Sequence, residues 1–124
     1  MKKLITLVMA IVLGMWVNAQ NIDVTYYKNG NVKIATYTDG SYSEVTSYHK
    51  NGNLKSIARY VNGVPHGVWQ EYDKHETLIS EGNYSYGKKS GEWLVYNNYN
   101  HKVYKVTYQN DEKVAVTEWA HSRE

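Results

Sequence analysis

The residues best suited to chemistry in this 124-residue chain are five histidines, at 49, 66, 75, 101 and 121, and two carboxylates, Glu71 and Asp73. No two histidines stand at the i, i+2 or i, i+4 spacing that brings imidazoles together on a metal ion. Glu71 and Asp73 are two apart near a strand end and so share a face. General acid–base work also needs a cleft and a perturbed environment, so a solvated face is the expected reading. His66 precedes Gly67 in a turn and is expected to be a solvated turn residue. The absence of cysteine excludes disulfides, thiolate metal sites and a cysteine nucleophile. No Gly-x-Gly-x-x-Gly follows a strand, no phosphate loop ends in Lys-Ser/Thr, and Pro65-His66-Gly67-Val68 is not a His-x-Gly-His nucleotidyl-transfer motif. Ser90-Gly91 has no strand–turn–helix elbow around it. Catalytic, cofactor and metal sites are therefore all expected to be absent, and the chain is expected to work without catalysis.

Charge narrows the partners. The full chain carries a net +2, from 14 basic and 12 acidic residues. Its first 19 residues read as a removable export signal: Met1-Lys2-Lys3, an uncharged run from Leu4 to Val17, then small residues at Val17-Asn18-Ala19 before Gln20. The run is too short to span a bilayer comfortably. Cleavage would remove Lys2 and Lys3 and bring the mature 20–124 chain to neutrality, which takes away the electrostatic case for nucleic acid or anionic lipid. Without cysteine there is also no lipid attachment point of the lipoprotein kind. The expected product is periplasmic or secreted, with no transmembrane segment once the signal is gone.

The elements that position these residues follow from the aromatic content. Thirteen Tyr, four Trp and no Phe form a set in which every ring carries a polar atom, suited to half-buried sheet faces. The rings recur. Tyr60 to Tyr72 reads YVNGVPHGVWQEY and Tyr84 to Tyr96 reads YSYGKKSGEWLVY, identical at Tyr60/Tyr84, Gly63/Gly87, Gly67/Gly91, Trp69/Trp93 and Tyr72/Tyr96. The shared frame is Tyr-x-x-Gly-x-x-x-Gly-x-Trp-x-x-Tyr. An earlier copy keeps Tyr37, Gly40 and Tyr48, and a last, decayed copy starts at Tyr108. The intervening segments echo as well: Lys28–Lys33 against Lys50–Lys55, then Ile34-Ala35-Thr36-Tyr37 against Ile57-Ala58-Arg59-Tyr60. Such spacing marks an array of small supersecondary units.

Alternation within each unit predicts strands, and Asn-Gly or similar pairs predict reversals. Nine strands are expected, near 24–28, 32–38, 42–48, 54–61, 67–73, 77–84, 91–97, 102–109 and 113–119. Short connections make them an antiparallel meander. The fold class is therefore all-β, a single twisted sheet of repeated β-hairpins, stable mainly through contacts between neighbouring units. Small residues at Ala35, Ala58 and Gly82 are expected to leave room for rings from adjacent strands. The degenerate end segments read as caps, with Lys113 and Glu118 discouraging edge-to-edge growth.

The frame, at Gly63, Gly67, Trp69, Tyr72, Gly87, Gly91, Trp93 and Tyr96, resembles the bacterial MORN-variant repeat (membrane occupation and recognition nexus). The resemblance spans most of 26–119 and is weakest in the first and last units. It implies a twisted single-sheet array of hairpins acting as an interaction or scaffold module; some relatives are labelled antitoxins. A signal ending in Ala-Gln resembles those of exported Bacteroidota proteins.

Two functions follow as expectations. One is a protein-interaction or structural module of the cell envelope, meeting an envelope or secreted protein through a sheet face or edge. The other is a carbohydrate-binding module, with Trp69, Trp93 and the repeated Tyr stacking on successive sugar rings. Cross-strand packing is the competing role for these same rings.

Overall fold

The computed structural model describes residues 21–120, without the side chains of residues 119 and 120. The expected export signal and His121 lie outside the described residues. Within them the chain is all strand and turn. The strands are β1 (Asn21–Tyr26), β2 (Val32–Asp39), β3 (Tyr42–Tyr48), β4 (Leu54–Val61), β5 (Val64–Pro65), β6 (Gly67–Tyr72), β7 (Leu78–Ser85), β8 (Lys88–Asn97), β9 (Lys102–Gln109) and β10 (Glu112–Ala120). They form one open antiparallel sheet in the order β1-β2-β3-β4-β6-β7-β8-β9-β10, with β5 paired to β4. This is the expected meander. The extra strand, β5, is a two-residue piece, and its counterpart 24 residues on, Lys88-Lys89, opens β8 without a break.

A bulge separates β5 from β6. Between the pairs Ile57↔Gln70 and Tyr60↔Pro65, the four residues His66–Trp69 stand against Ala58 and Arg59. Between Glu81↔Leu94 and Asn83↔Ser90, the three residues Gly91–Trp93 stand against Gly82. Both units therefore carry two extra residues at the same place, and each bulge holds a glycine of the frame at positive φ, Gly67 at +101° and Gly91 at +70°.

The first glycine of the frame serves the hairpin. The loops Asn62-Gly63 (φ 51° and 73°) and Tyr86-Gly87 (φ 47° and 85°) have both central residues left-handed, as a type I′ turn requires, and so does Asn110-Asp111. The Gly40-Ser41 loop has only Gly40 at positive φ, the type II′ pattern. These turns stack in a row. Asn62 N–H donates to Ser41 O (2.8 Å), Gly87 N–H to Pro65 O (2.7 Å) and Asp111 N–H to Lys89 O (3.0 Å).

Because Gly40 opens its turn and Gly63 closes one, the expected equivalence of Tyr37 with Tyr60 is shifted by a residue. The ladder runs Thr36↔Val45↔Ala58, so Thr36, and not Ala35, shares a face with Ala58. A one-residue slip in a strand moves every side chain to the other face. Ala35 and Tyr37 accordingly lie on the face opposite Ala58 and Tyr60, where Tyr37 meets Tyr42 edge-on at 6.3 Å.

Little of the molecule is dry. Tyr48, Ala58, Trp93, Val103 and Val106 are buried, and no described side chain is fully enclosed. A single layer has no second sheet to pack against, so cohesion comes from neighbouring strands.

Candidate functional site

On one face the rings of the frame form a continuous ladder. Tyr60, Trp69, Tyr84, Trp93 and Tyr108 follow one another at centroid separations of 5.4, 4.7, 5.1 and 6.3 Å, with steeply inclined planes. Edge-to-face contact suits the ring quadrupoles. Strand alternation and the bulges place each ring beside its neighbour. Trp93 lies over Gly82, where a Cβ would come within 2.0 Å of the indole. The two indole N–H groups are engaged too. Trp69 Nε1–H donates to Arg59 O (3.0 Å) and Trp93 Nε1–H to Asn83 O (3.1 Å), and His66 N–H shares the Arg59 carbonyl. Lys89 Nζ covers the far end, 4.9 Å from the Trp93 centroid and 5.1 Å from that of Tyr108. The expected room at Gly82 is thus used by the ladder, and Ala58 is buried on the same face, while Ala35 lies on the other.

The closing tyrosines of the frame sit at strand ends against the first aliphatic residue of the next strand: Tyr48↔Leu54, Tyr72↔Leu78 and Tyr96↔Val103. Burial raises the pKa of the Tyr48 phenol above its ordinary value, with the Glu44 carboxylate adding to the shift. On the opposite face from the ladder, Arg59 Nε holds Glu44 Oε2 at 3.0 Å and its Nη1 donates to Val68 O at 2.7 Å. Tyr42 OH donates to the same carboxylate oxygen at 3.2 Å. Burial first, and Glu44 second, raise the pKa of Tyr42.

Of the titratable residues singled out in the sequence, Asp73, His75 and His101 border one depression between loops, and Glu71 is exposed on β6. His66 is half-buried rather than simply solvated: its Nδ1 accepts the Tyr86 N–H at 3.1 Å and its ring meets that of Tyr86 at 4.6 Å. His49 Nε2 bonds Tyr72 O at 2.9 Å. Asp73 folds back on its own loop. Its Oδ1 accepts the N–H groups of His75 (2.8 Å) and Thr77 (3.0 Å), which hold its pKa below the ordinary carboxylate value, Thr77 contributing most. Among the described residues no three His, Asp or Glu side chains gather in a metal-binding group.

A second row of contacts was visible in the sequence only as an echo. The loops that join β1 to β2, β3 to β4 and β6 to β7 stack along the edge opposite the hairpin turns. Asn29 and Asn31 Nδ2 both donate to Lys50 O (2.8 and 2.7 Å), and Asn51 and Asn53 Nδ2 both donate to Lys74 O (2.9 Å each). Tyr27 OH donates to Tyr48 O at 2.8 Å, the position His49 repeats. The repeated Lys-Asn-Gly-Asn is the signal for this ladder. Reading it as a turn alone captured the glycine and missed the asparagines. The next junction departs from the pattern. Asp73, His75 and Thr77 stand where Tyr27/His49, Asn29/Asn51 and Asn31/Asn53 stood, and in the following unit six residues separate Tyr96 from its partner Val103, where five separate Tyr72 from Leu78. Here an open depression of about 440 Å³ appears, lined among others by Asp73, His75, Tyr96, Asn98, His101 and Lys102.

No protein-family profile and no curated protein matches the chain. Among solved structures it is similar to TarM, with a TM-score of 0.51, 10% identity, and coverage of 90% of this chain and 23% of that one. A substituted form of S. aureus TarM, crystallised with fondaparinux, α-GlcNAc-glycerol and UDP, gives a TM-score of 0.50 at 10% identity, with the same coverages. The chain thus spans under a quarter of the length of these structures, and the likeness is one of fold.

Proposed function

We propose that this chain is a non-catalytic, exported repeat module of the MORN-variant kind, which holds a protein partner or serves a structural role in the cell envelope. The observation that carries this reading is the use made of the repeat signature. Trp69 and Trp93 both pack on Tyr84, and each indole N–H donates to a backbone carbonyl. Residues committed in this way build a surface, and the partner meets what they leave outside. The exposed apolar side chains of the last strand, Val114 and Val116, are one such area.

The alternative, sugar rings stacked on Trp69 and Trp93, needs open ring faces. Trp93 is only 8% exposed and Trp69 is flanked by Tyr60 and Tyr84, so the ladder favours the protein-partner reading.

The test is capture of partners from an envelope fraction with the tagged chain, read by mass spectrometry. The chain carrying both Gly63→Val and Gly87→Val serves as the unfolded control. One protein retained by the folded form alone supports the module. Turnover of a small-molecule substrate by the folded chain would contradict it.

A further inference from the structure

We infer that β1 is the contact through which two copies of this chain pair, edge to edge about a two-fold axis. This goes beyond the protein-partner reading and does not depend on it. The sheet begins at β1 and ends at β10, so among the described residues these strands are its free edges. A free edge offers a row of unpaired N–H and C=O groups to another strand. β10 blunts its own row. It carries a bulge, with Val114 left out between Lys113↔Tyr108 and Ala115↔Thr107, and charges at Glu112, Lys113 and Glu118. β1 is not protected in this way. Its irregularity falls in β2, where Lys33 is passed over between Thr25↔Ile34 and Tyr26↔Val32, and its one charged residue is Asp23.

The phase of the ladder shows which groups face outward. Tyr27 N–H donates into its own loop, to Asn31 O at 2.8 Å. Backbone groups alternate between the two sides of a strand, so Thr25, Asp23 and Asn21 bond to β2. Ile22, Val24 and Tyr26 then turn their N–H and C=O groups to the free edge. The hairpin at the other end of β2 gives the same phase. Its two-residue loop closes on Asp39↔Tyr42 as a hydrogen-bonded pair, which commits Tyr37 and Ala35 to β3 and leaves Thr38, Thr36 and Ile34 for β1. The three outward residues also carry an apolar row on the face away from the ring ladder, where Val24 pairs with Ala35. Ile22 is 40% and Tyr26 61% exposed, with Val24 half-buried between them.

A second copy fits this edge in one register. A two-fold axis normal to the sheet makes the two β1 strands antiparallel and carries each face onto itself. Centred on Val24, it sets Val24 against its own copy and Ile22 against Tyr26 of the other copy, so every outward N–H and C=O of β1 finds a partner. The apolar rows then meet side by side on one face. On the other face Asp23 stands across from Thr25 of the other copy, whose hydroxyl can donate to the carboxylate. Any other register of this symmetry leaves at least one of the three outward residues unpaired, and centring on Asp23 also opposes two carboxylates. The same attempt at β10 fails. Centring on Val116 sets Glu118 against the bulged Val114, and centring on Glu118 opposes two carboxylates.

The test is sedimentation velocity of the folded chain from micromolar to millimolar concentration, with any tag kept at the C-terminal end. One strand against one strand is a small contact beside the roughly 1,200–2,000 Å² of stable specific interfaces, so a reversible dimer should appear within that range. Growth should stop at two, because pairing consumes β1. Val24→Pro removes an N–H that β2 does not use, at an edge position that tolerates proline. It should keep the parent's circular dichroism and raise the dimer dissociation constant about tenfold or more. A pair of side-chain variants reads the register without touching the backbone. Ile22→Lys with Tyr26→Lys sets like charges across each pair and should abolish the dimer, whereas Ile22→Lys with Tyr26→Glu sets opposite charges there and should keep it at low salt. A monomer at every concentration would overturn the inference. So would species larger than a dimer, a dimer indifferent to Val24→Pro, or equal behaviour of the two charge variants.

Discussion

The indole of Trp93 lies flat against Gly82, so close that a Cβ there would fall 2.0 Å from Cδ2 and 2.3 Å from Cε2 of the ring. The preceding unit carries Ala58 at the position of Gly82, itself buried, and Trp69 at the position of Trp93. The two units therefore seat the same ring at different depths, and only the later one needs a bare backbone beneath it.

Gly82→Ala is expected to be among the most damaging single-methyl changes in the chain. No left-handed φ is involved, so the cost is steric, about 3 kcal/mol for a rigid ring forced out of its seat. Urea unfolding followed by circular dichroism should show a much lower midpoint. A midpoint equal to the parent's would mean that the ring does not rest there.

Glu76 sits at φ +67° in the loop position that Gly30 and Gly52 fill at +90° and +89°. Glu76→Gly should therefore stabilise, by about 1 kcal/mol, as the left-handed penalty of a β-carbon is relieved. Thermal melting reads the result directly, and a lowered melting temperature would contradict the shared loop geometry.

The asparagine ladder predicts a local effect. Removing both Asn51 and Asn53 to alanine leaves Lys74 O to solvent and should cost about 1 kcal/mol, since water replaces part of each exposed bond. Hydrogen exchange should speed up at His49–Asn53 and Asp73–Thr77 while the Trp93 region keeps its protection. Uniform acceleration along the chain would argue against a local ladder.

Asp73 gives the pH dependence its sign. Its folded pKa lies below the ordinary value of 3.8 because backbone N–H groups favour the carboxylate. The stabilisation is present above that ordinary value and is lost as pH falls through the folded one. Asp73→Asn should flatten the fall in melting temperature on the acid side, and an unchanged acid limb would show that the loop bonds do not couple to protonation.

Much of this architecture was legible because the frame repeats two large rings and two glycines at fixed spacing, and a period of that kind needs no tertiary information. The strands 42–48, 54–61 and 102–109 follow from it at their observed limits. The bulges at Gly67 and Gly91 were hidden, because an extra pair of residues between two strands leaves no trace in alternation along either one. The same limit misplaced Tyr37: matching it to Tyr60 aligns identical residues, whereas the type II′ turn at Gly40 sets the register one residue away. The depression beside His75 and His101 was hidden for another reason. It depends on which donors are missing at one junction, and that shows only after the two regular junctions have been seen side by side.

If the rings of the repeat hold the sheet together, the equilibrium unfolding of Trp93→Ala is where it should show. The ring is 8% exposed, contacts Tyr84 and Tyr108, and bonds Asn83 O. Its loss should cost about 3 kcal/mol or more. A large drop in the urea midpoint is expected; an unchanged midpoint with a lost ligand or partner would make Trp93 a contact residue and not a support of the sheet.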